Sequence, residues 1–187
     1  MALLRKFRKT FRFLCAVACG LGVFGVPGVA HAQGVASEYE VKAAFLFNFT
    51  KFVEWPPAAF GDEHSLLKIC VLGENPFGKT LRSLMGDEVG GRRLSLVLHP
   101  ESLETCHVLF VSRSERERLG PILASVRNAP VLTVGDTPGF IDQGGMINFI
   151  LEGSKVRFDV NQEAAERAGL KISSRLLALA KHVKGRP

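Results

Sequence analysis

The chain has 187 residues, 47% hydrophobic and 22% charged, with four cysteines and a formal net charge of +6. Five of its bases (Arg5, Lys6, Arg8, Lys9 and Arg12) and none of its acids fall before Ala32, which leaves 19 bases against 18 acids in the remainder. That near-neutral remainder gives no sign of the basic patch that nucleic-acid binding requires, so no nucleic-acid partner is expected, and its length suits one domain.

After the basic start comes an apolar run, roughly residues 13–26, then Pro27-Gly28 and the small residues Ala30 and Ala32. This is the layout of a secretory signal over residues 1–32, cleaved after Ala32, with the working domain at 33–187. The apolar run is shorter than the roughly 20 residues of a spanning helix. A lipoprotein would need Cys19 as its acylated residue, and too little apolar chain precedes it.

Ser37-Glu38-Tyr39-Glu40 reads as a capping box, serine first and glutamate three later. The helix it opens, VKAAFLFNFTKFVEW, carries Val41, Phe45, Phe49 and Phe52 on one face. Pro56 and Pro57 end it, because a residue before proline is pushed out of helical angles. Phe47 lies off that face, beside Glu40, Ala43, Lys51 and Glu54, and Trp55 sits at the helix end. Each is either covered by the fold or offered to a partner or a second subunit.

LKICVLG follows as a strand, and GENPFGKT, residues 73–80, then fits the P-loop pattern G-x-x-x-x-G-K-[ST]. The acid closing the later run VLTVGD would suit a magnesium-holding aspartate. Against this, Pro76 has no N–H to offer a phosphate, and Phe77 is bulky where a phosphate must approach. A plainer reading fits the same letters: Asn75 caps a helix near residues 77–85, Pro76 takes its first position, and Phe77 packs on the sheet. A strand near residues 93–98 is next, then the strand HVLFVS.

Cys70 and Cys106 are an even pair in an exported chain, most simply a disulfide. A redox or metal pair is the alternative, but there is no C-x-x-C and no histidine cluster at ligand spacing, so no metal or cofactor is expected. Ser114 is expected to cap a helix, ERERLGPILASV, disturbed in its middle by Pro121. PVLTVGD is a fourth strand and residues 136–145 a turn-rich loop.

MINFILE and KVRFDVN, separated by Gly153-Ser154, read as a tight hairpin. A two-residue turn pairs Glu152 with Lys155, Ile150 with Arg157 and Asn148 with Asp159 on one face. It puts Leu151 with Val156, Phe149 with Phe158 and Ile147 with Val160 on the other. The apolar face belongs to the core. The polar face, with Asn148, Arg157 and Asp159, is either solvated or a recognition surface. Residues 162–183 read as helical with a break at Gly169. Strands alternating with helices give an α/β fold: a single domain with a largely parallel sheet flanked by helices, and a C-terminal antiparallel hairpin. Of catalytic motifs, G-x-S-x-G and H-E-x-x-H are both missing, and His64, His99, His107 and His182 are scattered.

The segments EYEVKAAFLFNFTKFVEWP, KICVLGENPFG, CHVLFVSRSE, PVLTVGD, GGMINF and KVRFDVN, with AGLKISSRLLALA at the end, occur in one order. Together they resemble the YfiR family of exported bacterial proteins, over about residues 38–183. The resemblance implies a small periplasmic α/β domain without catalytic chemistry. In that family it represses a membrane-bound diguanylate cyclase by binding the enzyme's periplasmic sensor region, which lowers cyclic di-GMP and restrains biofilm formation. It matches Cys70 and Cys106 to the family's disulfide-forming positions. The second cysteine pair of some members is missing here. The resemblance also leaves room for another membrane receptor, such as a histidine kinase, and for a small-molecule sensor. On this reading Phe47, Trp55, Asn148, Arg157 and Asp159 are the expected partner-binding residues, with a homodimer and a small-molecule ligand as further partners to be tested.

Overall fold

The computed structural model describes residues 29–185. The basic and apolar parts of the expected signal, with Cys15 and Cys19, lie outside them. The first element, α1 (Val29–Phe52), is 24 residues long and begins eight residues ahead of Ser37. Ser37 is therefore interior to the helix and not its cap. Ala30, Ala32 and Ala36 upstream favour the helical state and offset Gly34, and no proline interrupts the run. The buried face of α1 also differs from the expected one. Lys42, Ala43, Leu46, Phe49 and Thr50 are buried, whereas Val41 is 43% exposed and Phe45 and Phe52 are half-buried. The helix is turned so that Lys42 faces inward, where a counter-charge meets it.

β1 (Val53–Glu54) pairs antiparallel with β9 (Lys171–Ile172) in a small separate sheet. β2 (Leu67–Leu72) is followed by a turn at residues 76–79 and a short α2 (Thr80–Ser83). The expected helix over residues 77–85 is thus only one turn long, because Asn75 closes a turn instead: its Oδ1 accepts the Phe77 N–H at 3.0 Å. β3 (Glu88–Val89) pairs antiparallel with β4 (Arg92–Leu98). β5 (Val108–Val111) leads into a 3-10 stretch, Arg113–Arg118, and then α3 (Leu119–Ser125). Ser114 does not cap a helix here. Its hydroxyl accepts the Glu74 N–H at 2.9 Å, and Pro121 sits in the first turn of α3, where an N–H has no helical partner to lose.

β6 (Leu132–Gly135) precedes the loop, and β7 (Ile147–Glu152) and β8 (Lys155–Asn161) form the hairpin in the expected register, Glu152 with Lys155 through Ile147 with Val160. The expected terminal helix is instead α4 (Gln162–Arg167), β9, α5 (Ser174–Leu179) and β10 (Val183–Lys184). Asn161 and Ser173 cap the two helices, accepting the Ala164 and Leu176 N–H groups. Gly169, at φ +75°, makes the break, a conformation that favours glycine.

The main sheet runs β10-β8-β7-β6-β5-β2-β4-β3, and β4, β2, β5, β6 and β7 are parallel. Successive residues of a strand face opposite sides, so each parallel strand serves two cores. Ile69, Val71, Val108 and Phe110 pack under α1, α2 and α4, with Phe49, Leu81 and Ala165. Cys70, Leu109 and Val111 pack under α3 and the loop, with Leu119, Leu123 and Phe140. In that second core Cys70 and Cys106 are joined as a disulfide, Cα atoms 5.9 Å apart. No helix of the described residues is long and apolar enough to cross a membrane.

Candidate functional site

In open α/β sheets of this strand order, ligands sit in the crevice outside the carboxyl ends of the strands where the winding reverses, here between β2 and β5. The chain fills that crevice itself. The Glu74 N–H is taken by Ser114 Oγ, the Phe77 N–H by Asn75 Oδ1 and the Thr80 N–H by the Phe77 carbonyl. Gly73 sits at φ +85°, and a Cβ there would lie 2.3 Å from Ser114 Oγ. Phe77 is buried on the sheet, edge-on to Phe110 and to Tyr39. Three of the donors a P-loop would turn toward phosphate, the Glu74, Phe77 and Thr80 N–H groups, are bonded within the protein, and Phe77 packs on the sheet as the plainer reading of GENPFGKT expects.

Asp136 follows β6 at the same end of the sheet and is buried. Its Oδ2 accepts hydrogen bonds from Tyr39 Oη and from Lys42 Nζ, both at 2.7 Å. Arg113 Nε donates to the Asp136 carbonyl at 3.1 Å and lies 3.4 Å from Oδ2. Lys42, only 1% exposed, also pairs with Glu38 one turn earlier in α1, and its ammonium lies 4.4 Å from the centre of the Tyr39 ring. Burial, and then the bond to Asp136, hold the Tyr39 hydroxyl well above the ordinary tyrosine range, so it stays a donor. Asp136 is the acid that a P-loop reading would have assigned to magnesium. Here it anchors α1. Sequence reasoning passed over Lys42, although its spacing with Leu46, Phe49 and Val53 marks the buried side of the helix.

Above this network opens a cleft of about 590 Å³. Arg113 and Arg116 flank it on one side, residues 136–139 on another, and Asn148, Ile150 and Asp159 of the hairpin's outer face on the third. The sequence-predicted residues divide around it. Asn148 is 7% exposed, and in the orientation that satisfies its amide it donates to the Gly135 and Thr137 carbonyls. It fixes the start of the loop. Asp159 accepts from or pairs with His182 Nδ1 at 2.9 Å, and Arg157, half exposed, lies 3.7 Å from Glu152. Phe47 is half-buried on the other side of the sheet with Lys51 Nζ 4.0 Å over its ring.

Trp55 is elsewhere, and Phe47, Trp55 and the hairpin face do not form one patch. The Trp55 indole N–H donates to the His107 carbonyl at 3.1 Å. The buried His107 ring stacks on Phe60 with centroids 4.5 Å apart. Its Nδ1 accepts the Lys68 N–H at 3.1 Å, which leaves Nε2–H to donate to the Ala59 carbonyl at 3.2 Å. Burial pushes the His107 pKa below the ordinary histidine value. Among the described residues, no three His, Cys, Asp or Glu side chains gather where they could hold a metal ion.

The strand order and the filled crevice define a doubly wound α/β domain whose customary ligand position is occupied by its own loops. The chain belongs to the YfiR/HmsC-like family, whose model matches residues 39–181. A crystal structure of a conserved domain protein from Vibrio cholerae O1 biovar eltor shares the fold, with 13% sequence identity and a TM-score of 0.51. The similarity covers 78% of this chain and 60% of that one, so the chain spans less than two thirds of that relative's length.

Proposed function

We propose that this chain is an exported regulatory protein, cleaved after Ala32, that works in the periplasm by binding another protein and carries out no chemistry of its own. Its partner in this reading is the periplasmic sensor region of an inner-membrane diguanylate cyclase. Binding represses the cyclase, lowers cyclic di-GMP and restrains biofilm formation. The family match over residues 39–181 is the observation that carries the reading. Arg157 and Asp159 on the hairpin and Phe47 on α1 contact the partner, while Asn148 and Trp55 hold the surfaces that present them. Deleting the gene and measuring cyclic di-GMP tests the role: a rise is expected, and an unchanged level counts against repression. Charge reversal at Arg157 or Asp159 tests the surface. Co-purification with the cyclase that survives both changes removes the hairpin face from the proposal.

A second reading is favoured by the cleft beside Asp136. Arg113 and Arg116 offer donors for an anionic group there, which suits a small-molecule sensor or an accessory protein of another receptor such as a histidine kinase. A ligand retained through purification supports it.

A further inference from the structure

The sheet ends in an edge that is only half covered. The Phe158 carbonyl accepts the Lys181 N–H at 2.8 Å, and the Val160 N–H donates to the His182 carbonyl at 2.9 Å. These residues of β8 therefore turn their backbone groups away from β7, and Val156, two residues earlier, turns its own the same way. β10 pairs only with Val160 and Asn161. Among the described residues, nothing pairs with the Val156 N–H and carbonyl or with the Phe158 N–H on that edge.

The two sides of this open stretch differ in chemistry. On the α1 side lies a groove of about 810 Å³ whose apolar lining is Val41, Phe45, Leu151 and Val156, with Glu38, the Gly153-Ser154 turn and parts of Lys155 and Arg157 completing it. Leu151 is 50% exposed and Val41 43%, two of the few large apolar side chains left so open. On the opposite side Arg157 and Lys181 share one carboxylate, Glu152, at 3.7 and 3.1 Å, and Lys155 has no ion-pair partner among the described residues. Asp159 on the same face is engaged with His182, so that side carries more positive than negative charge.

We propose that the outer edge of β8 from Lys155 to Phe158 is a docking site for an extended strand of a protein partner. Alternate side chains of the incoming strand are apolar and enter the groove beside Val41 and Phe45. The intervening ones are acidic and lie over Lys155 and Arg157. Backbone hydrogen bonds supply affinity in this mode and the alternating side chains supply selection. A lysine beside an open edge usually deters pairing with other strands. Here it admits an acidic strand and refuses a basic one. The assignment rests on the reading that the chain acts by binding a protein, and its test is separate from cyclic di-GMP levels, so either can fail alone.

The probe is a short labelled peptide of alternating valine and glutamate, followed by fluorescence anisotropy on the chain from Gln33 onward. It is expected to bind, and the valine–lysine counterpart is not. N-methylation of the peptide on one of its two edges removes the donors that face β8 and should weaken binding roughly tenfold or more, while methylation of the other edge should not. Val156→Pro removes the outward N–H and leaves the β7 ladder intact, so it should weaken binding similarly. Lys155→Glu with Arg157→Glu should reverse the preference between the two peptides. No binding of the valine–glutamate peptide overturns the proposal. So does equal binding of both singly methylated forms and the parent, a test that stands even if Val156→Pro does not fold.

Discussion

Replacing Lys42 with methionine leaves the volume of a buried side chain and removes its charge. The ammonium is 1% exposed and donates at 2.7 Å to Asp136, whose Oδ1 has no hydrogen-bond partner. Removing one member of a buried pair costs about 3–5 kcal/mol, because the other charge stays buried. Arg113 remains 3.4 Å from Asp136 Oδ2 and Tyr39 still donates to it, which places the expected loss at the lower end, about 3 kcal/mol. For a domain of this size that is about 6–12 °C in Tm. Urea unfolding followed by circular dichroism and by Trp55 fluorescence reads it directly. A combined variant, Glu38→Leu and Tyr39→Phe with Lys42→Met and Asp136→Leu, removes both carboxylates, the hydroxyl and the ammonium of the network together and should recover to within about 2 kcal/mol of the parent. If Lys42→Met stays within about 1 kcal/mol of the parent, or the combined variant falls below the single one, the Lys42–Asp136 pair does not anchor α1.

His107 should make stability depend on pH. Its folded pKa is depressed, so the unfolded chain takes up the proton first, and stability should be complete above about pH 6.5 and fall as the pH drops below it. His107→Gln should be less stable at neutral pH and lack that slope, measured by urea unfolding across pH 5–8. Breaking the Cys70–Cys106 disulfide, with 36 residues of sequence separation, should cost about 4 kcal/mol in the chain-entropy model, and because both sulfurs are buried, reduction in the folded state should be slow by thiol titration. Gly73→Ala should lose about 1–3 kcal/mol in thermal unfolding, from its φ of +85° and the overlap with Ser114 and Glu115. Lys79→Ala should leave any ATP binding by isothermal titration unchanged, since Pro76 has no N–H and those of Glu74, Phe77 and Thr80 already have partners.

The strands legible in the sequence are those where periodicity or turn chemistry acts within a few residues. KICVL and VLFV are continuous apolar runs because helices or loops cover both faces, and the hairpin register followed from one two-residue turn. β1, β9 and β10 have two residues each, too few to show a period, and exist because distant chain segments align them. The rotation of α1 was hidden for the same reason. A lysine reads as solvent-facing until Asp136, 94 residues later, is known to lie opposite it. Of the site, the cysteine pair was legible from compartment and count. The engagement of Asn148 with the Gly135 and Thr137 carbonyls was not, because it depends on how the loop folds back against β7.

The latch at Lys42 also sets an order of assembly. A chain that emerges N-terminus first presents α1 before anything it packs on. Its two polar anchors, the Tyr39 hydroxyl and the Lys42 ammonium, find their acceptor only 97 and 94 residues later. Closing so long a loop costs chain entropy before the contact can repay it. Until then α1 carries Leu46 and Phe49 in water with Lys42 paired only to Glu38, so the first helix out cannot be fully seated before β6 and the residue after it have been made.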